Sequence, residues 1–491
     1  PIELCDSVSA SFKKLCDKAN IGYTTFMRTT EPRHAVAVSH LWNTLVESGY
    51  IYKGQHEGWY AISDEAFYPD NQVHEITDDK GETMMVSIES GQKVEWTMEE
   101  NYKFKLSAFE KPLLDWIEQN PQAIVPSNRK NEVISWIQAG LSDLSISRLR
   151  SRLEWGIPVP TDPQNHTIYV WLDALTNYIT AKGYPHLLED GSSEENKDQD
   201  DKTLSAKVHV VGKDILRFHA VYWPAFLMAA KLPLPQQILA HAHWTMGKHK
   251  MSKSRGNVAD PFQVMDLYGV DSVRYYLMRD GGLADDGDYS EDHIKMRYKK
   301  DLAGQLGNLL NRSTAPSLNP EAQVPAVALE VMDHVDPRDR PLHDKLVALA
   351  DIYDMHFEER EFNKGFTAIM DMLSEANKHF TDNEPWKLKE QQERKDLVLY
   401  YALESCRIAG ILLQPVMPTK MDELLARLGV PENQRSLSHA TLSATGTAKR
   451  LLGPLLVFYS PLVILPLLPL AFLHFYFCTP SFSIITHLLL Q

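Results

Sequence analysis

The sequence predicts an α/β fold in which a parallel sheet carries an inserted domain and is followed by an α-helical bundle. Three observations lead there. Residues 207–211 (KVHVV) form a short apolar run that ends at Gly212-Lys213-Asp214 and passes into a helical pattern, as a buried parallel strand does. Residues 50–140 shift to short aromatic-rich strands and turns, such as Gly58-Trp59-Tyr60 and Val94-Glu95-Trp96. Residues 301–429 keep a helical period almost throughout, broken at prolines and glycines, which is the pattern of a bundle.

Composition agrees with a globular chain. At 491 residues, 44% hydrophobic and 23% charged, it fits roughly two to four domains. The four cysteines, Cys5, Cys16, Cys406 and Cys478, are scattered with no Cys-x-x-Cys pair. That argues against a disulfide framework or a thiolate zinc site and for a reducing compartment. Net charge is −15, so any nucleic-acid contact must come from local positive patches. The chain opens on Pro1, and no cleavable targeting segment is visible.

In order, residues 1–48 read as amphipathic helices, with Leu4, Val8, Phe12 and Cys16 at four-residue spacing and a second run at His40, Leu41 and Leu45. Residues 49–142 form the inserted domain. Its turn Ser63-Asp64-Glu65 has no thiolate and no histidine cluster, so zinc is not expected there. In residues 143–264, the runs 167–172 (TIYVWL), 207–211 and 238–246 read as strands, the first two as buried strands of the parallel sheet. The helix expected at 214–229 sets Asp214, Phe218 and Tyr222 at four-residue spacing on one face. Residues 189–202 are an acidic surface insertion.

Residues 265–300 read as polar turns followed by the basic run 293–300, either a solvated helix face or phosphate contacts to an RNA stem. The bundle then covers 301–445, and 446–491 is a hydrophobic tail. The last 41 residues carry no Asp, Glu, Lys or Arg. Residues 451–477 could span a bilayer by length, but Pro454, Pro461, Pro466 and Pro469 interrupt them. The tail reads as an aberrant ending, with a membrane anchor as the alternative.

The stretch Lys250-Met251-Ser252-Lys253-Ser254, backed by Gly256, is a flexible cationic loop suited to closing over a polyphosphate. It stands with Asp143-Leu144-Ser145-Ile146-Ser147-Arg148, Trp155-Gly156-Ile157-Pro158-Val159-Pro160, residues 168–175 (IYVWLDAL) and 212–219 (GKDILRFH). On these motifs residues 1–440 resemble the methionyl-tRNA synthetase family, in its mitochondrial form with a zinc-free insertion.

The resemblance implies an incomplete class I synthetase Rossmann-like sheet with an inserted connective domain, a stem-contact connection at 265–300 and an anticodon-binding bundle. It places Trp171, Ala174, Tyr178, Phe218 and His219 around the methionine side chain, with Tyr178 and His219 offering weak polar contacts to sulfur. It gives Asp214, also readable as a helix N-cap, to the ATP ribose. Lys250, Ser252, Lys253 and Ser254 fall to ATP, with Lys250, Lys253 and Arg148 as catalytic residues and Mg2+ on the phosphates. Asn308, Arg312 and Trp386 match anticodon-binding positions. The implied partners are methionine, ATP and tRNA(Met), the implied state a monomer and the implied compartment the mitochondrial matrix.

Two departures stand out. His-x-Gly-His, the family's first signature, does not occur among the 19 histidines, nor does the upstream aspartate that holds the methionine amino group. The chain as written starts inside the first half of the nucleotide-binding fold, so no adenylate formation is expected of it. A non-catalytic tRNA-binding protein and a membrane-tethered variant are the competing readings. The uncharged tail is the second departure, where the family ends in polar, basic sequence.

Overall fold

The computed structural model describes residues 1–62, 66–68, 72–77, 81, 83–88, 90–186, 204, 206–251, 256–327, 334–442 and 450–452. The chain divides into two compact units, Tyr23–His241 and a second that joins Pro1–Gly22 to the described residues from Ala242 onward.

The first unit is built on a parallel sheet in the order Val208–Gly212, Gln237–His241, Ile124–Val125, with Val211 opposite Ala240 and Leu239 opposite Val125. Helix Pro32–Glu47 turns Ala37, Val38, Leu41, Trp42 and Leu45 inward at helical spacing. They share one core with Leu113, Val133, Phe226, Ile238 and Ala240. Ile124 and the helices Glu110–Gln119 and Ser127–Gln138, which the sequence groups with the insertion, thus belong to the sheet's layer. The insertion proper is an antiparallel ribbon, Ile51–Ala61 against Glu95–Phe104, with a smaller hairpin of Val73–Thr77 and Thr83–Ser87.

Three expectations are corrected here. Residues 167–172 are not a strand of the parallel sheet: the strand ends at Ile168, pairs antiparallel with Ser147–Leu149, and helix Val170–Leu175 follows. An unbroken apolar run has no period that separates strand from helix. Residues 238–246 divide into Gln237–His241 and Trp244–Met246, which belong to different sheets. Residues 214–229 are helical but not one α-helix, because a π-helical turn at Phe218–Tyr222 precedes the α-helix Trp223–Ala229. The extra residue in that turn breaks the line through Asp214, Phe218 and Tyr222.

Gly156 is pressed against the strand His166–Ile168. Its φ is +151°, and a Cβ there would lie 2.5 Å from Thr167 Cγ2. Gly156→Ala is expected to cost about 2–4 kcal/mol through backbone strain and crowding, read as a lower midpoint in denaturant.

In the second unit, helices Arg340–Glu358, Phe362–Asp382, Gln392–Leu413 and Pro418–Arg427 form the bundle. Gln392–Leu413 is its centre, buried at every residue from Leu397 onward. Its charged Arg407 is spent on Glu404, Nε donating at 2.8 Å. Helix Val270–Asp280, with Val273, Tyr275 and Tyr276 buried, replaces part of the polar turns expected at 265–300. Its Arg274 donates to the carbonyls of Ala19, Pro415 and Val416, tying helix Ile2–Lys18 to the bundle. No helix among the described residues is long and apolar enough to cross a membrane, and 453–491 lie outside them.

Candidate active site and RNA-reading face

Parallel sheets place ligands at the C-terminal ends of their strands. Strand Val208–Gly212 ends there, and the tight turn Lys213–Ile215 leaves Asp214 exposed beside it. Trp171 and Ala174 come from helix Val170–Leu175, Tyr178 from the next turn, and Phe218 and His219 from the π turn. Trp171 and Phe218 stack with centroids 3.5 Å apart and planes 16° apart, and Tyr178 meets His219 edge-on at 5.7 Å. The structure therefore brings the four predicted aromatic and imidazole rings into one cluster, with Ala174 buried one turn beyond Trp171.

The protons in this cluster can be assigned. His219 Nδ1 lies 3.0 Å from the Ile215 carbonyl, which can only accept, so Nδ1 carries the proton. Burial pushes His219 down to about 4, so the ring is neutral at pH 7 and Nε2 is a bare acceptor. It accepts a hydrogen bond from the Tyr178 hydroxyl at 2.7 Å. Burial raises Tyr178 well above the usual phenol range, which keeps that proton in place. The pair satisfies itself, and in this arrangement neither ring has a spare proton for a sulfur atom.

The sequence reading misses His209 and His34. His209 lies 4.1 Å from Tyr178 and 6.0 Å from His219 between ring centroids. Burial, reinforced by His219, pushes it down to about 3. Alternation within KVHVV, which pairs His209 with buried Val211, is the signal that finds it. His34 is fully buried and bridges Asp173 Oδ1 (2.8 Å) to Thr180 Oγ1 (3.0 Å), pinning the helix that carries Trp171 and Ala174. Nothing local in the sequence links residues so far apart.

Both depressed histidines make stability depend on pH. The unfolded chain takes up protons near pH 6.5 and the folded chain does not until about pH 4 and 3, so the unfolded state binds more protons in between. Stability is present above pH 6.5 and is expected to fall as pH drops, by about 1.4 kcal/mol per unit for each fully titrating group. Thermal melts at pH 7 and pH 5 check this, and His209→Gln should flatten the difference.

Arg148 is buried, its guanidinium 3.7 Å above the Tyr169 ring and Nη1 donating to Ser145 Oγ (3.0 Å) and the Ser147 carbonyl (2.9 Å). Lys250 belongs to the other unit and is exposed at the end of a hairpin, His249–Lys250 against Trp244–Met246. Gly247 and Lys248 turn it with φ of 60° and 63°, the left-handed pair that a two-residue hairpin demands. Asp288 accepts from Lys248 N–H at 2.9 Å and from the Thr245 hydroxyl at 3.1 Å, fixing the hairpin's base. Ser252, Lys253 and Ser254 lie outside the described residues, as does the turn Ser63-Asp64-Glu65.

In the bundle, Asn308 and Arg312 sit one turn apart on helix Asn308–Ser313. Asn308 Nδ2 approaches Asn377 Oδ1 at 3.4 Å. The Arg312 guanidinium lies 4.8 Å from the Phe380 ring and 5.7 Å from that of Trp386, and donates to Thr381 Oγ1 at 3.3 Å. Trp386 is 46% exposed, an open ring face beside a cation. Phe380 and Thr381 complete the face and were not legible from spacing. Of the basic run, Arg297 is held by Asp280 (2.6 Å) and Asp301 (3.5 Å) and Lys295 by Asp292 (3.0 Å), while Lys299 and Lys300 face solvent.

A family model described as tRNA synthetases class I (M) matches residues 1–314, so the chain is a class I aminoacyl-tRNA synthetase. A second, described as the anticodon binding domain of methionyl tRNA ligase, matches residues 332–454. The chain belongs to the methionyl-tRNA synthetase family, enzymes that act as methionine–tRNA ligases.

It is 44% identical over 452 residues to a probable mitochondrial methionine–tRNA ligase of Dictyostelium discoideum, covering 89% of this chain and 76% of the relative. To the mitochondrial methionine–tRNA ligase of Homo sapiens it is 42% identical over 451 residues, covering 89% and 74%. The structure of Mycobacterium tuberculosis methionyl-tRNA synthetase in complex with methionyl-adenylate superposes with a TM-score of 0.82 at 38% identity, covering 93% of this chain and 86% of that one. These two relatives are mitochondrial by name, the compartment the sequence resemblance implied.

Proposed function

We propose that the sites of this protein, a monomer of the mitochondrial matrix, serve the activation of methionine with ATP and the transfer of the methionyl group to tRNA(Met). The residues of this sequence supply the methionine, Lys250–Ser254 and anticodon parts of that machinery, and the His-x-Gly-His signature is not among them. The self-satisfied aromatic cluster carries this reading. Trp171, Phe218 and Tyr178 offer ring faces and edges to a thioether, each contact worth roughly 0.3–1.5 kcal/mol, and the neutral His219 keeps charge out of the pocket. Asp214, exposed at the strand end, accepts from the ATP ribose hydroxyls. Lys250, with Lys253, Ser252 and Ser254, balances the phosphate charge as the methionine carboxylate attacks the α-phosphorus and pyrophosphate leaves. Arg148 adds a fixed positive charge behind Tyr169.

Asn308, Arg312 and Trp386 read the unstacked anticodon. Magnesium arrives with the ATP phosphates. The group that could hold a cation among the described residues, His356, Glu359 and Glu361, belongs to the bundle. The insertion has no cysteine, which supports the absence of zinc.

Calorimetric titration with a non-hydrolysable methionyl-adenylate analogue tests the pocket, beside methionine-dependent ATP–pyrophosphate exchange for the chemical step. Saturable binding that prefers the methionyl over the leucyl analogue is expected. Equal binding of both would overturn the pocket assignment.

A further inference from the structure

Trp386 stands on a short turn, Pro385–Lys387, that leaves helix Phe362–Asp382 through Asn383 and Glu384. Glu384 has φ +40°, a left-handed conformation that a non-glycine residue holds only when its surroundings fix it. A buried carboxylate network reaches the residue before it, Asn383. Asp339, 1% exposed at the start of helix Arg340–Glu358, accepts from His379 Nε2 at 2.6 Å and from Arg394 Nη2 at 2.7 Å on one oxygen, and from Arg394 Nη1 on the other. The same Arg394 Nη2 donates to Asn383 Oδ1, while Asn383 Nδ2 donates to the His379 carbonyl at 2.8 Å.

Three helices are thus joined through one carboxylate at the point where the chain turns toward Trp386. Burial alone would raise Asp339, but the His379 and Arg394 hydrogen bonds win and hold it below the ordinary carboxylate range, so the clamp stays charged. Asn383 has both ends of its amide engaged. Its side chain cannot rotate without breaking a bond, and the direction of the next three residues is set with it.

We propose that Asp339, Arg394 and Asn383 are positioning residues for RNA reading, holding the Pro385–Lys387 turn so that Trp386 stays open beside Arg312 before any RNA arrives. This rests on the reading of Trp386 and Arg312 as anticodon contacts. Pre-organised rings lose little freedom on stacking, so the clamp acts on affinity through Trp386 and nowhere else.

The test uses the full chain and a synthetic methionine anticodon hairpin, with affinity read by fluorescence anisotropy. Asn383→Ala removes the link to the turn while leaving the buried Asp339–Arg394 pair intact, so it should fold. It is expected to weaken hairpin binding about tenfold, the scale of one lost stacking contact, with an unchanged melting midpoint. In a Trp386→Ala background it should cost nothing further. Arg394→Lys, which keeps the charge and loses the fork, should behave like Asn383→Ala. Wild-type affinity in Asn383→Ala, or the same loss with and without Trp386, would overturn the clamp. Wild-type affinity in Trp386→Ala alone would instead overturn the anticodon reading beneath it.

Discussion

Trp386→Ala is expected to weaken binding of tRNA(Met) by roughly tenfold to more than a hundredfold. The ring is 46% exposed, and a base stacked on such a ring is worth about 1–3 kcal/mol. The substitution also removes one of the two rings beneath the Arg312 guanidinium, leaving Phe380 alone to orient it. Arg312→Lys should fall short of wild type for the same reason, since an ammonium keeps the charge but not the planar stack. A filter-binding titration at fixed salt checks both. Unchanged affinity in Trp386→Ala would remove the single-strand reading from this face.

His219→Ala is expected to raise the methionine Kd by about 1–3 kcal/mol, a loss of roughly tenfold to a hundredfold. The imidazole accepts from the Tyr178 hydroxyl at 2.7 Å, and removing it takes that acceptor away from a buried donor. Tyr178→Phe leaves a bare Nε2 in turn, and the double variant should cost less than the sum of the two. Isothermal titration with methionine reads all three. Additive losses would show that each residue touches the ligand independently of the other.

Much of this arrangement is written locally. The strand at KVHVV is legible as a short apolar run closed by Gly212, the turn at Gly212-Lys213-Asp214 from its glycine and polar residues, and the one-turn spacing of Asn308 and Arg312 from the helical period. What escapes is set by partners distant in the chain. Ile124–Val125 is a two-residue strand between Ala123 and Pro126, too short to carry an alternation, and becomes a strand because Gln237–His241 lies beside it. The run Val170–Leu175 is helix after Ile168, although its composition suits a strand equally. His34 and Asp173 meet across 139 residues, and Phe380 joins Arg312 across another helix. The resemblance, not the pattern, supplied the roles of the pocket rings.

The π turn at Phe218–Tyr222 makes the aromatic cluster a matter of counting as well as chemistry. Each such turn holds one residue more than the α-helix around it. Losing Ala220 or Val221 from it is expected to restore α-helix and swing the preceding side chains by about 100° about the axis. Phe218 would leave Trp171 and His219 would leave Tyr178, with every residue type still in place. Change of amino-acid preference on this scaffold is thus open to a one-codon deletion or insertion, a step that no alanine scan would sample.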